Sequence, residues 1–320
     1  MITIVGYHGK GNFGDDLILD EYLNINKDKN FIIYMYPNNI KNRSVPNNAK
    51  IRFWSKYKII NIIKFIFTIL QSKEITWVGG TCFSDEDGIG GYNYMSLALL
   101  FKRKINYEYI GINRITDPKN ITKAKVLLSN TNSLILRDFE SVKSLESILE
   151  KKRNYSIAKD LGEQYLFNLK KTLPKKNSKN ILIAWRDLKN YMNDLESQEL
   201  IESLCNYVYD ISTNFESIYI LNTDEQLDRD ISERILEKLK ILGLYSKLSY
   251  VPNISNTEKI NVISHSKLII TSRLHIAIAG SIFGKETIVL NYSQKIENLS
   301  KRYNYTVIDE NFFSLMREHV

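Results

Sequence analysis

Short apolar runs recur along the chain, each closed by a glycine, a proline or a change to polar residues. The first, ITIVGY at 2–7, is rich in β-branched residues and runs into a glycine loop, which predicts a buried strand. Asp15-Asp16-Leu17-Ile18-Leu19 then opens a helix with acidic residues in its first turn, where they oppose the positive end of the helix dipole. FIIYMY at 31–36, closed by Pro37, and EITWVGG at 74–80 predict further strands, as do YEYIGI at 107–112 and SLILRD at 133–138. Helical stretches fall between them, at Tyr94–Lys104 and Phe139–Lys152. Strands alternating with helices predict a parallel sheet carrying helices on its faces.

The stretch from Lys151 to Lys179 breaks the pattern. It holds nine basic residues against Asp160 and Glu163, and it contains Pro174, which reads as a solvated connection between domains. The alternation then restarts with NILIAWR at 180–186, SIYILN at 217–222, KLSYVP at 247–252, KLIITSRLH at 267–275 and ETIVLNY at 286–292. The pattern predicts an N-terminal α/β domain over 1–165, a linker over 166–175 and a C-terminal α/β domain over 176–320. These are two Rossmann-like parallel-sheet halves facing a cleft. Ligands of such sheets bind beyond the carboxyl ends of the strands, where the glycine, arginine and histidine clusters of this chain fall.

Composition narrows the picture. The 320 residues suffice for one large domain or two of about 150 residues. With 43% hydrophobic and 25% charged residues the chain is neither disordered nor fibrous. Cys82 and Cys205 lie too far apart for a zinc ribbon, and two cysteines do not make a disulfide scaffold, so a reducing cytoplasm fits. A formal charge of +8 favours anionic partners without choosing among them. The first residues do not read as a secretion signal. Ile59–Leu70, with Asn61 and Lys64 inside it, is too short for a span of about 20 apolar residues. The favoured expectation is a helix buried against a sheet. The alternative is an interfacial helix, with Lys56, Lys58 and Lys64 meeting anionic lipid while Trp54, Phe65 and Phe67 insert.

Gly9-Lys10-Gly11-Asn12-Phe13-Gly14 imitates a dinucleotide fingerprint. Asp15 and Asp16 stand where a pyrophosphate needs a helix end free of negative charge, and the second strand ends in Tyr36-Pro37 with no acid for a ribose. Dinucleotide binding is therefore disfavoured. Two adjacent carboxylates at a strand end can cap the helix, accept hydrogen bonds from sugar hydroxyls, or act as a general base.

The same residues carry a family resemblance. GNFGDD is similar to the G-N-x-G-D-(D/E) segment of the polysaccharide pyruvyl transferases. In the family's order follow Trp77-Val78-Gly79-Gly80, Arg137-Asp138-Phe139-Glu140-Ser141, Lys159-Asp160-Leu161 and Ser272-Arg273-Leu274-His275, with Lys295 after the next strand. Thr81, the segment around Gly111 and Leu161 depart from the pattern. The resemblance implies a GT-B-like fold and transfer of a pyruvyl group from phosphoenolpyruvate to a sugar, forming a ketal across two hydroxyls. The acceptor would be a cell-surface polysaccharide or its precursor, free or lipid-linked. No cofactor is expected beyond the donor, and no two histidines stand at i, i+4, so no metal is expected. Localisation would be cytoplasmic, at the inner membrane face if the 51–70 segment is interfacial.

That chemistry asks for cations to hold a phosphate and a carboxylate, and for an acid to protonate carbon 3. Arg273 and His275 stand within three residues of sequence at a strand end, just before a helix whose amides favour anions. The resemblance implies that Arg273, Leu274 and His275 contact the donor, with His275 as acid and Arg186 and Lys295 as further donor ligands. Asp15 and Asp16 are the other catalytic candidates. His8, Asn12, Gly79 and Gly80 are the expected acceptor contacts. Arg137-Asp138 reads as an internal ion pair, Asp224 as a helix cap, His265 as structural and His319 as solvated. Two other functions stay open: a nucleotide-sugar glycosyltransferase on the same architecture, and a binder of anionic polymers. No nucleic-acid-binding motif supports the latter.

Overall fold

The computed structural model describes residues 1–37, 46–149, 153–173, 178–189, 191–224, 227–252, 254–292, 296–297, 300, 302–303 and 305–309. The chain divides into two compact units, Met1–Tyr165 and Leu166–Val320.

The first unit is built on a mostly parallel sheet. Its strands are β1 (Ile2–Val5), β2 (Phe31–Met35), β3 (Ala49–Phe53), β4 (Glu74–Val78), β5 (Thr81–Ser84), β6 (Gly88–Ile89), β7 (Lys104–Ile112), β8 (Thr131–Leu136) and β9 (Ser156–Ile157). The order runs β3-β2-β1-β4-β7, and β8 and β9 follow on the far side of β7. Every residue of β2 is buried, as a strand covered on both faces must be. Its residues alternate between two layers. Phe31 and Ile33 pack with Ile18, Leu19 and Tyr22 of α1 (Phe13–Ile25), while Ile32 and Tyr34 pack with Phe65 and Ile69 of α2 (Lys58–Gln71).

β7 does double duty. Its first half pairs with β4 and β8; its end, at Gly111 and Ile112, pairs with Thr81 and Phe83 after the register shifts. The irregularity lies at Tyr109, whose φ is 59° in a strand, next to Glu108, whose carbonyl accepts from the Gly79 amide at 2.9 Å. The hairpin of β5 and β6 and the edge strand β3 are additions to the expected strands. Two helices are shorter than expected. α3 covers Tyr92–Leu100 because Lys104 already begins β7, and α5, which follows α4 (Pro118–Ser129), covers Phe139–Ile148.

Of the residues expected as linker, 166–170 belong to α6 (Leu161–Lys170), with β9 just upstream, and 174–175 lie outside the described residues. Asp160 accepts from the Gly162 amide at 2.9 Å at the start of that helix, and Leu161 and Leu166 are buried. A run of lysines decorates the outside of a pinned helix as readily as a loose connection.

α2 is corrected. Its inward residues are Asn61, Phe65, Thr68 and Ile69, and most of its isoleucines face solvent. Of the residues expected to insert into lipid, Trp54 and Phe65 are in the core, packed tilted or edge to face against the rings of Tyr34 and Tyr94. Only Phe67 is exposed. Among the described residues no helix is long and apolar enough to cross a membrane.

The second unit carries a wholly parallel sheet ordered β12-β11-β10-β13-β14-β15. Its strands are β10 (Asn180–Ala184), β11 (Ser217–Leu221), β12 (Leu248–Val251), β13 (Leu268–Thr271), β14 (Glu286–Leu290) and β15 (Thr306–Ile308). Helices α7 (Asp194–Ile211) and α9 (Asn256–Ser264) each begin with a capping box, Asn193 with Glu196 and Ser255 with Glu258. Between them lies α8 (Arg229–Ile241); α10 (Leu274–Ile282) follows β13.

Candidate functional site

The central strands of the second unit place two arginines side by side. β10 and β13 pair in register, Ala184 beside Thr271, so two residues further on Arg186 and Arg273 leave neighbouring strands at their carboxyl ends. Hydroxyls knit these ends together. The Thr271 hydroxyl donates to the Ala184 carbonyl at 2.6 Å and accepts from the Arg273 amide at 2.9 Å; the Ser272 hydroxyl accepts from the Arg186 amide at 2.8 Å. A serine and a threonine just before Arg273 thus fix where both guanidinium-bearing residues emerge.

Each guanidinium is held differently. Arg186 lies against two rings, 5.1 Å from the centroid of Tyr191 and 5.6 Å from that of Tyr292, and those rings meet edge to face at 4.8 Å. Burial works against its charge, but the Tyr292 hydroxyl helps to raise its pKa above the usual value, while Arg273 opposes that rise. Arg273 uses Nε, at 2.9 Å, and Nη2 to clasp the two carboxylate oxygens of Asp228. The side chains are 13% and 0% exposed. The Thr223 hydroxyl donates to the same carboxylate at 2.7 Å. Burial pushes the Asp228 carboxyl up and Arg273 draws it down; for Arg273, Asp228 outweighs burial and holds the guanidinium charged. The clasp leaves Nη1 outside the pair.

The helix that follows completes the arrangement. Arg273 is the N-cap of α10 and makes no side-chain cap bond, and the first turn holds no acidic residue. Leu274 and His275 are its first two residues, both half-buried. The Leu274 side chain packs with Ala277, Val289 and Ile296, which leaves only its backbone to face a ligand. Arg186, Arg273 and His275 therefore share one sheet edge with a helix N-terminus, a combination suited to a small, multiply charged anion and a proton donor. Lys295 lies outside the described residues.

The first unit's junction has the opposite sign. Asn12, not either aspartate, caps α1: its side-chain oxygen accepts from Gly14 at 3.1 Å and Asp15 at 3.3 Å. Asp16 is buried and accepts from the Gly9 amide at 3.2 Å, which holds the glycine loop closed. Asp15 is half-buried and meets the Gly79-Gly80 turn. Both glycines have φ of 70°; a Cβ on Gly80 would lie 2.8 Å from Asp15 Oδ1, and one on Gly79 2.4 Å from Ile18. Asn12, Asp15, Asp16, Gly79 and Gly80 are thus brought together.

His8, expected as an acceptor contact, is fully buried, with its ring packed against Gly6, where a Cβ would sit 2.5 Å from Nε2. Arg137 is the internal ion-pair residue expected, at 3.3 Å from Asp160 and 3.6 Å from Asp138, and its Nη2 also donates to the Thr81 hydroxyl at 2.7 Å. Asp224 accepts from the Leu227 amide at 3.2 Å at the turn into α8, and His265 ends α9. Tyr191, Tyr292, Thr223 and Asp228 were not legible as partners of the arginines. Among the described residues no group of three or more His, Cys, Asp or Glu is placed to hold a metal ion.

Among solved structures the chain is similar to a putative UDP-N-acetylglucosamine 2-epimerase from Listeria monocytogenes. The TM-score is 0.64 at 12% identity, covering 99% of this chain and 86% of the other. It is similar also to UDP-GlcNAc 2-epimerase from Methanocaldococcus jannaschii, with a TM-score of 0.60, 12% identity and coverage of 100% and 92%. The enzyme from Neisseria meningitidis bound to UDP-GlcNAc gives 0.58, 12%, 100% and 91%. At such identity these likenesses establish the fold, which is of the GT-B type. Among curated proteins none matches. The sequence model of the polysaccharide pyruvyl transferases matches residues 12–294, from the cap of α1 to beyond β14, and the chain therefore belongs to the polysaccharide pyruvyl transferase family.

Proposed function

We propose that this transferase takes its pyruvyl group from phosphoenolpyruvate and joins it to a sugar of a cell-surface polysaccharide or its precursor as a cyclic ketal. The observation that carries this reading is the pairing of Arg186 and Arg273 on adjacent strand ends beside His275. The donor bears a phosphate and a carboxylate, and two guanidinium groups with the first amides of α10 match those two anions. Protonated His275 gives its proton to carbon 3, so that carbon 2 becomes cationic and a sugar hydroxyl adds there. Departure of inorganic phosphate and attack by a second hydroxyl close the ketal, and both hydroxyl protons pass to bases or water. On this reading the acceptor is the ligand of the first unit's loop, held by Asn12 and the Gly79-Gly80 turn, with Asp15 as base. Asp16 acts through the loop it closes. No cofactor is required.

A second reading has one observation in its favour: the fold is that of enzymes whose names specify a UDP-sugar. Thermal unfolding with phosphoenolpyruvate or with UDP-GlcNAc separates the two, because a ligand that binds the native state raises the midpoint. Stabilisation by phosphoenolpyruvate, and a mass gain of roughly 70 Da on an acceptor glycan as the stoichiometry of pyruvyl transfer requires, support the first. Stabilisation by the UDP-sugar alone overturns it.

A further inference from the structure

The helix α2 carries its apolar residues on the wrong side for a soluble protein. A surface helix buries an apolar stripe and shows water a polar face. In α2 the inward row includes Asn61 and Thr68, each engaged. Asn61 accepts from the Ser55 amide at 2.7 Å and donates to the Ser55 carbonyl at 2.8 Å; Thr68 meets the Tyr34 hydroxyl at 2.7 Å and also receives Arg52. The outward rows hold Ile59, Ile60, Ile62, Ile63, Phe67 and Leu70, with Ile59 73% and Phe67 60% exposed, and Tyr57 is exposed at the start. This is a contiguous apolar patch along the helix, of the kind that marks an interaction surface.

Its surroundings say what it meets. From Lys29 to Lys73 the sequence has nine Lys and Arg and no Asp or Glu. Lys56 and Lys58 flank the start of the patch, Lys64 sits on the helix and Lys73 follows its end, all four exposed. An apolar helix face whose charges along the chain from 29 to 73 are all cationic complements a surface that is apolar within and anionic at its rim. With 14 residues α2 is about 21 Å long, less than the roughly 30 Å of a bilayer core, so it would lie along the interface and not cross it.

We propose that α2 docks this protein on an anionic lipid bilayer, with Ile59, Ile63, Phe67 and Leu70 in the acyl boundary and Lys56, Lys58 and Lys64 at the headgroups. The docking is a property of the first unit and stands apart from the chemistry of Arg186, Arg273 and His275.

The test is flotation of the intact chain with vesicles of phosphatidylglycerol and phosphatidylethanolamine, and with vesicles of phosphatidylcholine alone. The protein should float with the anionic vesicles and not with the neutral ones, and added salt should weaken the association. Replacing Lys56, Lys58 and Lys64 by Gln should lower the apparent affinity on the order of 100-fold, at about one kilocalorie per cation near the surface. Ile59→Ser, Ile63→Ser and Phe67→Ser together should abolish flotation. Because these side chains are exposed, the thermal midpoint should be unchanged, which separates lost docking from lost folding. Absence of flotation by the unaltered chain, equal flotation on both vesicles, or flotation that survives the Ile/Phe replacements would each overturn the proposal. So would a dimer in light scattering that those replacements split while the unaltered chain ignores lipid, for then the occupant of the patch is a second copy.

Discussion

The loop from β1 to α1 and the loop from β13 to α10 are the same device with opposite chemistry. Each leaves an interior parallel strand at its carboxyl end and starts a helix. In the first unit Asn12 caps the helix and two carboxylates occupy its first turn, so positive potential is already answered within the loop. In the second, the cap is an arginine without a cap bond, the first turn has no acid, and a second arginine stands on the next strand. On the proposed reading the first end receives the sugar hydroxyls and the second the anions of the donor. The strand–loop–helix geometry is kept in both, and the residues at the cap and first turn set the sign of the charge around it.

The largest effect expected from disturbing this contrast is at His275. His275→Gln should lower phosphate release from phosphoenolpyruvate with an acceptor by about 10²- to 10⁴-fold, the range of general acid catalysis, with the thermal midpoint unchanged. Next comes Arg273→Met. Removing the cation leaves the Asp228 carboxylate buried without its partner, at a cost of about 3–5 kcal/mol in chemical denaturation. The double variant Arg273→Met with Asp228→Leu should recover most of that stability, since buried pairs are often replaceable by apolar residues. Activity should stay lost if Arg273 holds the donor. Recovery of both would reduce the arginine to a structural role.

In the first unit, Gly80→Ala should cost about 1–2 kcal/mol for an alanine at a left-handed φ and should displace the Asp15 carboxylate. Activity should therefore fall through the acceptor, as a raised KM for the sugar with the KM for phosphoenolpyruvate unchanged. The smallest effect is at Asp85, just after β5. Hydrogen bonds from Asn120 and from the Thr116 amide and hydroxyl hold its carboxyl down at about 2. A depressed folded-state pKa means that this support is present at neutral pH and lost as pH falls from the ordinary carboxylate range toward 2. Asp85→Asn should slightly lower the thermal midpoint at pH 7 and flatten its decline over that window.

What could be read from the residues follows from how local each feature is. Strands such as FIIYM and LIIT declare themselves, because burial on both faces demands an unbroken apolar run. The glycine loop and the Arg-Leu-His step also lie at the ends of such runs. Asp228 was not legible as the partner of Arg273, since 45 positions separate them and only the neighbouring strands bring β11's end to β13's. Nor were the tyrosines around Arg186, which come from a loop and from beyond β14. α2 was legible as a helix, but its outward apolar face only as the less favoured alternative, and with Trp54 and Phe65 on the wrong side. Its apolar residues outnumber its inward positions, and which face a helix buries depends on where Asn61 and Thr68 find partners.

The most direct measurement is turnover of phosphoenolpyruvate against a panel of acceptor glycans, following phosphate release and acceptor mass together in the unaltered chain and in His275→Gln. The account predicts that phosphate and a pyruvylated glycan appear in equal amounts with the former, and that both fall together by about 10²- to 10⁴-fold with the latter while the protein remains folded. Full turnover by His275→Gln, or phosphate release with no pyruvyl gain on any glycan, would contradict it.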